Sequence, residues 1–269
     1  MFRLKRTDVT SLPPYRQIAP ILLGFSAKRR PRRPCRAVQA RPHVVEKMHT
    51  AYGRARAAGR DMIVGVINQK GGVGKTTLAT HLAGEWGMRG HRVVVVDADP
   101  QESAFDWYRM RKRTGLPKLF DVISLQREKL NPEYARTNEH VIIDGPSRNS
   151  DLARSTVLAS DLILIPVQPS SYDVWGSGPI VSLVMEARTH KPNLRAAFVI
   201  NRCIVGTNIG RDIQGALTGE IPILQTIITQ RVVFAESVAT GRLVRELDDK
   251  GAAARSISAL ASEVMGRAS

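Results

Sequence analysis

Residues 68–77 read Asn68-Gln-Lys-Gly-Gly-Val-Gly-Lys-Thr-Thr77, and this stretch decides the fold. Its ending, Gly74-Lys75-Thr76, supplies what a nucleoside triphosphate needs. Glycines let backbone N–H groups close on the phosphates, a lysine reaches the β and γ phosphates, and a hydroxyl binds Mg²⁺. The candidate phosphate cradle is therefore Gly71, Gly72, Val73, Gly74, Lys75, Thr76 and Thr77. Working outward, Met62 to Ile67 is a short apolar run of the length of a buried parallel strand. Beyond Thr76, Leu78, Leu82 and Trp86 recur at helical spacing, which predicts a helix ending near Gly87 to Gly90. A loop between a strand and a helix aims the free N–H groups of the helix start at the phosphates.

The usual phosphate loop opens with glycine where this chain has Gln69, and Lys70 adds a second lysine ahead of Gly71 and Gly72. That departure marks the deviant Walker A loop, a narrower class than the general motif.

Five further strands, each ending in a turn, are predicted downstream. They are Arg92 to Asp97, Leu119 to Leu125, His140 to Asp144, Asp161 to Pro166 and Ala196 to Asn201, with Ile221 to Ile228 as a seventh strand of the set. Helices are expected over 102–113, 173–190 and 251–266. Apolar strands alternating with helices predict an α/β fold, a parallel-sheet P-loop NTPase covered by helices on both faces. Ligands of such sheets bind outside the carboxyl ends of the strands. Asp97, Asp99 and Asp144 all fall there. Asp144 ends an apolar strand in the position of a carboxylate that holds Mg²⁺ through water. Asp97 and Asp99 flank one residue at a strand end, so both can face the γ-phosphate, where one or both could orient the attacking water or complete the Mg²⁺ shell. Ser147 reads as a turn residue, since no nucleophile elbow surrounds it, and His81 reads as packed on the first helix. Trp86, Trp107 and Trp175 read as anchors, with no basic residues interleaved as a base-stacking platform requires.

Charge is unevenly placed. The 269 residues carry a formal +16, but residues 1–60 hold 15 Lys/Arg against 2 Asp/Glu, and residues 61–269 hold 25 against 22. Two domains follow: a basic, Pro/Arg-rich extension over 1–61 and an ATPase domain over 62–269. The extension has too little periodic apolar content to offset its ordering entropy, although 44–58 could form a short helix. Its readings are a segment outside the working protein, with translation starting at Met48 or Met62, a flexible arm on DNA, or a transit peptide. Two cysteines make no disulfide framework and point to a reducing compartment. No apolar run reaches the roughly 20 residues of a membrane helix. A soluble, cytoplasmic protein is expected.

Lys70-Gly-Gly-Val-Gly-Lys75-Thr-Thr, Asp97-Ala-Asp-Pro-Gln101 and Val141-Ile-Ile-Asp-Gly-Pro146 together resemble the ParA/MinD family of deviant Walker ATPases. The resemblance covers 62–269. It is nearest to the short ParA proteins of ParF type, supported by Ile165 to Asp173 and Ile228 to Phe234. It implies ATP and Mg²⁺ as cofactors. Lys75 would bind the β and γ phosphates, Thr76 and Asp144 the Mg²⁺, and Thr77 the α-phosphate. Lys70 would cross a dimer interface to the other subunit's phosphates, Asp99 with Asp97 would serve the water, and Asn201 with Arg202 would lie against adenine. It further implies an ATP-bound homodimer that binds non-specific DNA, sits on the nucleoid, and is stimulated by a partner. The leading expectation is segregation of plasmid or chromosomal DNA with a centromere-binding protein. The alternatives are positioning of a carboxysome or chemoreceptor cluster through an adaptor, and more distantly a metabolic ligase or amidase. Membrane attachment is not expected: Ile257, Leu260, Ala261 and Val264 form a helical stripe with few Lys/Arg around it, better suited to packing on the sheet. Candidate DNA contacts are Arg202, Arg211, Arg231, Arg242 and Arg245.

Overall fold

In a computed structural model the described residues are 62–125, 138–147, 151–205, 217, 219 and 221–267. The extension 1–61, its possible helix over 44–58, and Arg211 lie outside them. Among the described residues six strands are present: β1 (Met62–Val66), β2 (Val93–Asp97), β3 (Asp121–Ser124), β4 (His140–Asp144), β5 (Leu162–Val167) and β6 (Arg195–Ile200). They form one parallel sheet in the order β3-β2-β4-β1-β5-β6. Their side chains are buried almost without exception, which is why each strand reads as a continuous apolar run.

The helices are α1 (Lys75–Met88), α2 (Ser103–Arg113), α3 (Asp151–Ala159), α4 (Ser171–Gly176), α5 (Gly178–His190), α6 (Val232–Ala239), α7 (Val244–Leu247) and α8 (Ala252–Gly266). On one face of the sheet α1 and α8 join a core with Leu78, Leu82, Trp86, Ile257, Leu260 and Val264. On the other, α3 and α5 contribute Val157, Ile180 and Val184. The α8 stripe is fully used inside the molecule, and Trp86 donates its indole N–H to the Ala261 carbonyl at 3.3 Å. Each such buried side chain contributes about 1.5–3 kcal/mol.

Two expectations need correction. The seventh strand is absent: residues 221–228 run beside β6 but bridge it only once, Ile223 to Phe198, with one further bridge beyond it between Thr229 and Cys203. Pro222 has no N–H to donate, and the Gln225 and Thr226 N–H groups turn instead to the Glu263 carboxylate on α8, at 2.8 and 2.9 Å. The single helix over 173–190 is two. Pro179 opens α5, where its missing N–H costs nothing, and Ser177 closes α4 by donating to the Val174 carbonyl.

Register brings the functional ends together. Val66 and Asp97 both pair with Asp144, so β1, β2 and β4 finish level at the carboxyl edge. The chain leaves β1 for β2 on one side and later takes up β5 on the other, so the loop after β1 lies at a switch point of the sheet.

Candidate nucleotide and metal site

The loop after β1 is anchored at both ends. Asn68 is fully buried; its amide donates to the Pro166 carbonyl at 2.8 Å, and its Oδ1 accepts the Lys70 N–H at 3.1 Å. Gly72 and Gly74 have φ of +78° and +92°, values that favour glycine. Gly74 caps α1 with no side-chain partner for the N–H groups of the first turn, leaving them free for an anion. A Cβ on Gly74 would also strike the Asn201 amide. Asn201 is buried at the end of β6 and donates to the Val73 carbonyl at 2.7 Å. Here it shapes the loop from below. Arg202 beside it is exposed, with φ of +55°.

The two lysines have separate environments. Lys75 is buried, and burial lowers its pKa against the raising effect of Asp144 and Asp99. Its Nζ donates to Ser147 Oγ at 2.9 Å and to the Lys70 carbonyl at 3.4 Å. Lys70 keeps a partly exposed side chain and pairs with Asp173, a buried carboxylate in the first turn of α4.

The three carboxylates also divide. Asp97 is fully buried, and its two oxygens accept the N–H groups of Asp99 and Phe105 at 3.2 and 2.9 Å. It holds the turn rather than facing outward. Burial raises its pKa to about 6. Asp99 accepts the Gln101 N–H at 3.0 Å on one oxygen and the Ser147 hydroxyl at 2.7 Å on the other. Asp144 is fully buried, and neither of its oxygens has a hydrogen-bond donor. The Thr76 hydroxyl faces it closely enough to lower its pKa, short of a well-formed bond. Burial, seconded by Asp97, nonetheless pushes it up to about 8. A buried carboxylate with two bare oxygens beside a threonine hydroxyl fits a divalent cation, which supplies the charge the site lacks.

The structure thus brings Lys75, Thr76, Asp99 and Asp144 together at one edge, with Ser147 among them. Ser147, read from the sequence as a turn residue, lies between Lys75 and Asp99 and bonds both. Its only signal was a hydroxyl three residues beyond the strand-end aspartate. Among the candidate DNA contacts, Arg231 and Arg242 are exposed. Arg245 is half-buried, bridging Glu85 and Asp249 at 2.7 Å each.

Residues 64–244 match the CobQ/CobB/MinD/ParA nucleotide-binding domain family. The chain belongs to that family. Among curated relatives, the maintenance of carboxysome distribution protein A of Halothiobacillus neapolitanus is 32% identical over 216 residues, spanning 78% of this chain and 99% of the relative. The chromosome-partitioning ATPase Soj of Thermus thermophilus is 26% identical, covering 76% of this chain and 95% of its own length. Among solved structures, the ATP complex of a substituted Cyanothece McdA superposes with a TM-score of 0.59 at 17% identity, over 77% of this chain and 97% of that one. Family membership and sheet topology agree with the ParA/MinD resemblance. Among the described residues no helix is long and apolar enough to cross a membrane.

Proposed function

We propose that this chain is an ATP-hydrolysing positioning ATPase of ParA type. Its ATP-bound dimer holds DNA non-specifically, lets go after hydrolysis, and moves a cargo through an adaptor that stimulates turnover. The observation that carries the reading is the pairing of a glycine-capped helix start and a buried lysine with Asp144, whose two oxygens are bare. Gly71 to Thr77 hold the phosphates. Mg²⁺ fits between Thr76 and Asp144, where it would neutralise phosphate charge. Asp99, fixed on one oxygen by backbone, orients the water. Lys70 reaches the partner subunit's phosphates once it leaves Asp173. The ATPase occupies 62–269, and 1–61 form a separate extension.

Two cargoes suit this engine: a plasmid or chromosome bound by a centromere-binding protein, and a protein assembly. The relative that distributes carboxysomes, similar along nearly its whole length, favours the protein assembly. Phosphate release by the full chain with Mg²⁺ and ATP, together with ATP-dependent dimerisation in sizing chromatography, tests the engine. Deleting the gene tests the cargo: mispositioned protein assemblies with normal replicon inheritance support this reading, and replicon loss assigns it to DNA segregation.

A further inference from the structure

Ser147 joins two groups that the proposed reaction uses. Its hydroxyl accepts from Lys75 Nζ at 2.9 Å and donates to Asp99 Oδ2 at 2.7 Å. A hydroxyl has one proton and two lone pairs, so both contacts form at once and one lone pair stays open. Among the described residues, the Asp99 carboxylate has one other tether, the Gln101 N–H on its opposite oxygen. One bond leaves a carboxylate free to swing about that contact. Two bonds, one per oxygen, fix its plane. Asp97 is fixed in the same way, but by two backbone N–H groups.

We propose that Ser147 is a positioning residue for ATP hydrolysis, setting the orientation of the Asp99 carboxylate and linking it to the occupancy of Lys75. The inference rests on the ATPase reading above. In this structure Lys75 gives one of its three N–H donors to Ser147. With ATP bound, Lys75 turns to the phosphates, and the lone pair it vacates opens toward the attacking water. Ser147 keeps its bond to Asp99, so the carboxylate is aligned when the γ-phosphate is present. In the step itself, the water oxygen bonds to the γ-phosphorus as the bond to the β–γ bridging oxygen breaks. ADP keeps that oxygen, and the water proton passes by way of Asp99 to the released phosphate. Ser147 changes no bond of its own. It acts on the orientation of the group that does.

The test is single-turnover hydrolysis of ATP by the full chain carrying Ser147→Ala, Ser147→Thr, Asp99→Asn, or Ser147→Ala with Asp99→Asn. Loss of one orienting hydrogen bond lowers rates by about 10- to 100-fold. Ser147→Ala should therefore slow the chemical step by that factor with ATP affinity changed less than about threefold, and Ser147→Thr, which keeps the hydroxyl, should restore most of the rate. Residues acting as a unit are not additive, so the double variant should be no slower than Asp99→Asn alone. A Ser147→Ala rate equal to wild type, a loss confined to ATP affinity, failure of threonine to restore, or additive losses would each overturn the proposal. Should the wild-type chain fail to hydrolyse ATP, the ATPase reading itself falls, a result separate from any difference between variants. Thermal melts of each variant accompany the assay, and Ser147→Cys, whose thiol donates only weakly, carries the test with a loss of the same direction expected if alanine unfolds.

Discussion

Asp144, with both oxygens bare inside the protein, sits under a cost that a cation would relieve. Its folded pKa of about 8 lies above the ordinary 3.8, so the folded state holds its proton more tightly than the unfolded chain does. Stability is therefore lost as pH rises from about 4 to 8, and Asp97, raised to about 6, adds to the loss over the lower half of that window. Asp144→Asn removes the charge. Without nucleotide it should raise the melting temperature at pH 8 by on the order of 5 °C, with the gain vanishing near pH 4. Adding Mg²⁺ and ATP should reverse the order, stabilising wild type and leaving the variant behind. Scanning fluorimetry at the two pH values decides it, and a variant less stable than wild type at pH 8 would refute the account. The two lysines separate by the same kind of reasoning. Lys75→Ala should abolish ATP binding, because Lys75 is buried in its own loop. Lys70→Ala should spare most of that binding and block dimerisation, because Lys70 lies outside the cradle on Asp173. Equal loss of nucleotide affinity in both would remove the distinction.

At the scale of elements, α1 does more than present the phosphate loop. His81, one and a half turns in, is fully buried and joins α1 to α7: Nδ1–H donates to the Thr77 carbonyl at 2.8 Å, and Nε2 accepts the Val244 N–H at 3.2 Å. The carbonyl can only accept and the amide can only donate, which assigns the tautomer. Burial lowers the His81 pKa from 6.5 to about 4. The unfolded chain then binds the proton first, so the stability of the neutral form is complete above about pH 6.5 and lost as pH falls toward 4. At pH 5 this amounts to about 2 kcal/mol. Because Asp144 and Asp97 act alike in both proteins, the stability difference between wild type and His81→Gln, read from urea unfolding at pH 7 and pH 5, should shift by that amount against wild type at pH 5; a difference that stays constant would place the loss elsewhere. Little of this junction was legible in the sequence, because α6 and α7 are short and the contacts that hold them come from distant residues. The strands were legible because burial on both faces leaves mostly apolar side chains along each of them. The same rule misread 221–228, where Ile221, Leu224 and Ile228 are buried as in a strand but Glu263 takes the Gln225 and Thr226 N–H groups out of any ladder. In the site, glycines and strand-end aspartates announced themselves by position. What each carboxylate touches did not: Asp97 and Asp99, equal in the sequence, differ because one faces backbone and the other a serine.

Across the whole molecule, charge argues that the proposed DNA binding would depend on the proposed dimer. Residues 61–269 carry 25 basic against 22 acidic residues, and affinity for DNA follows the number of phosphates neutralised. One subunit therefore holds few. Two subunits side by side double the count on one surface, which raises affinity by far more than twofold because phosphate contacts combine as free energies. Arg202, Arg231 and Arg242 are exposed and suited to such contacts, whereas Arg245 is engaged by Glu85 and Asp249. Gel shifts of residues 62–269 should show binding with ATP, none with ADP, a steep fall with salt and little sequence preference. Replacing Arg231 or Arg242 with glutamate should weaken binding uniformly across sequences, while Arg245→Glu should chiefly lower stability by setting a second carboxylate against the buried Glu85, which then keeps only Arg89 as its cationic partner. The extension provides the contrast, since residues 1–60 carry 15 Lys/Arg against 2 Asp/Glu on their own. If the 62–269 protein never binds, and the full chain binds whatever the nucleotide, the DNA contact belongs to that basic segment and the ATP-gated account is wrong.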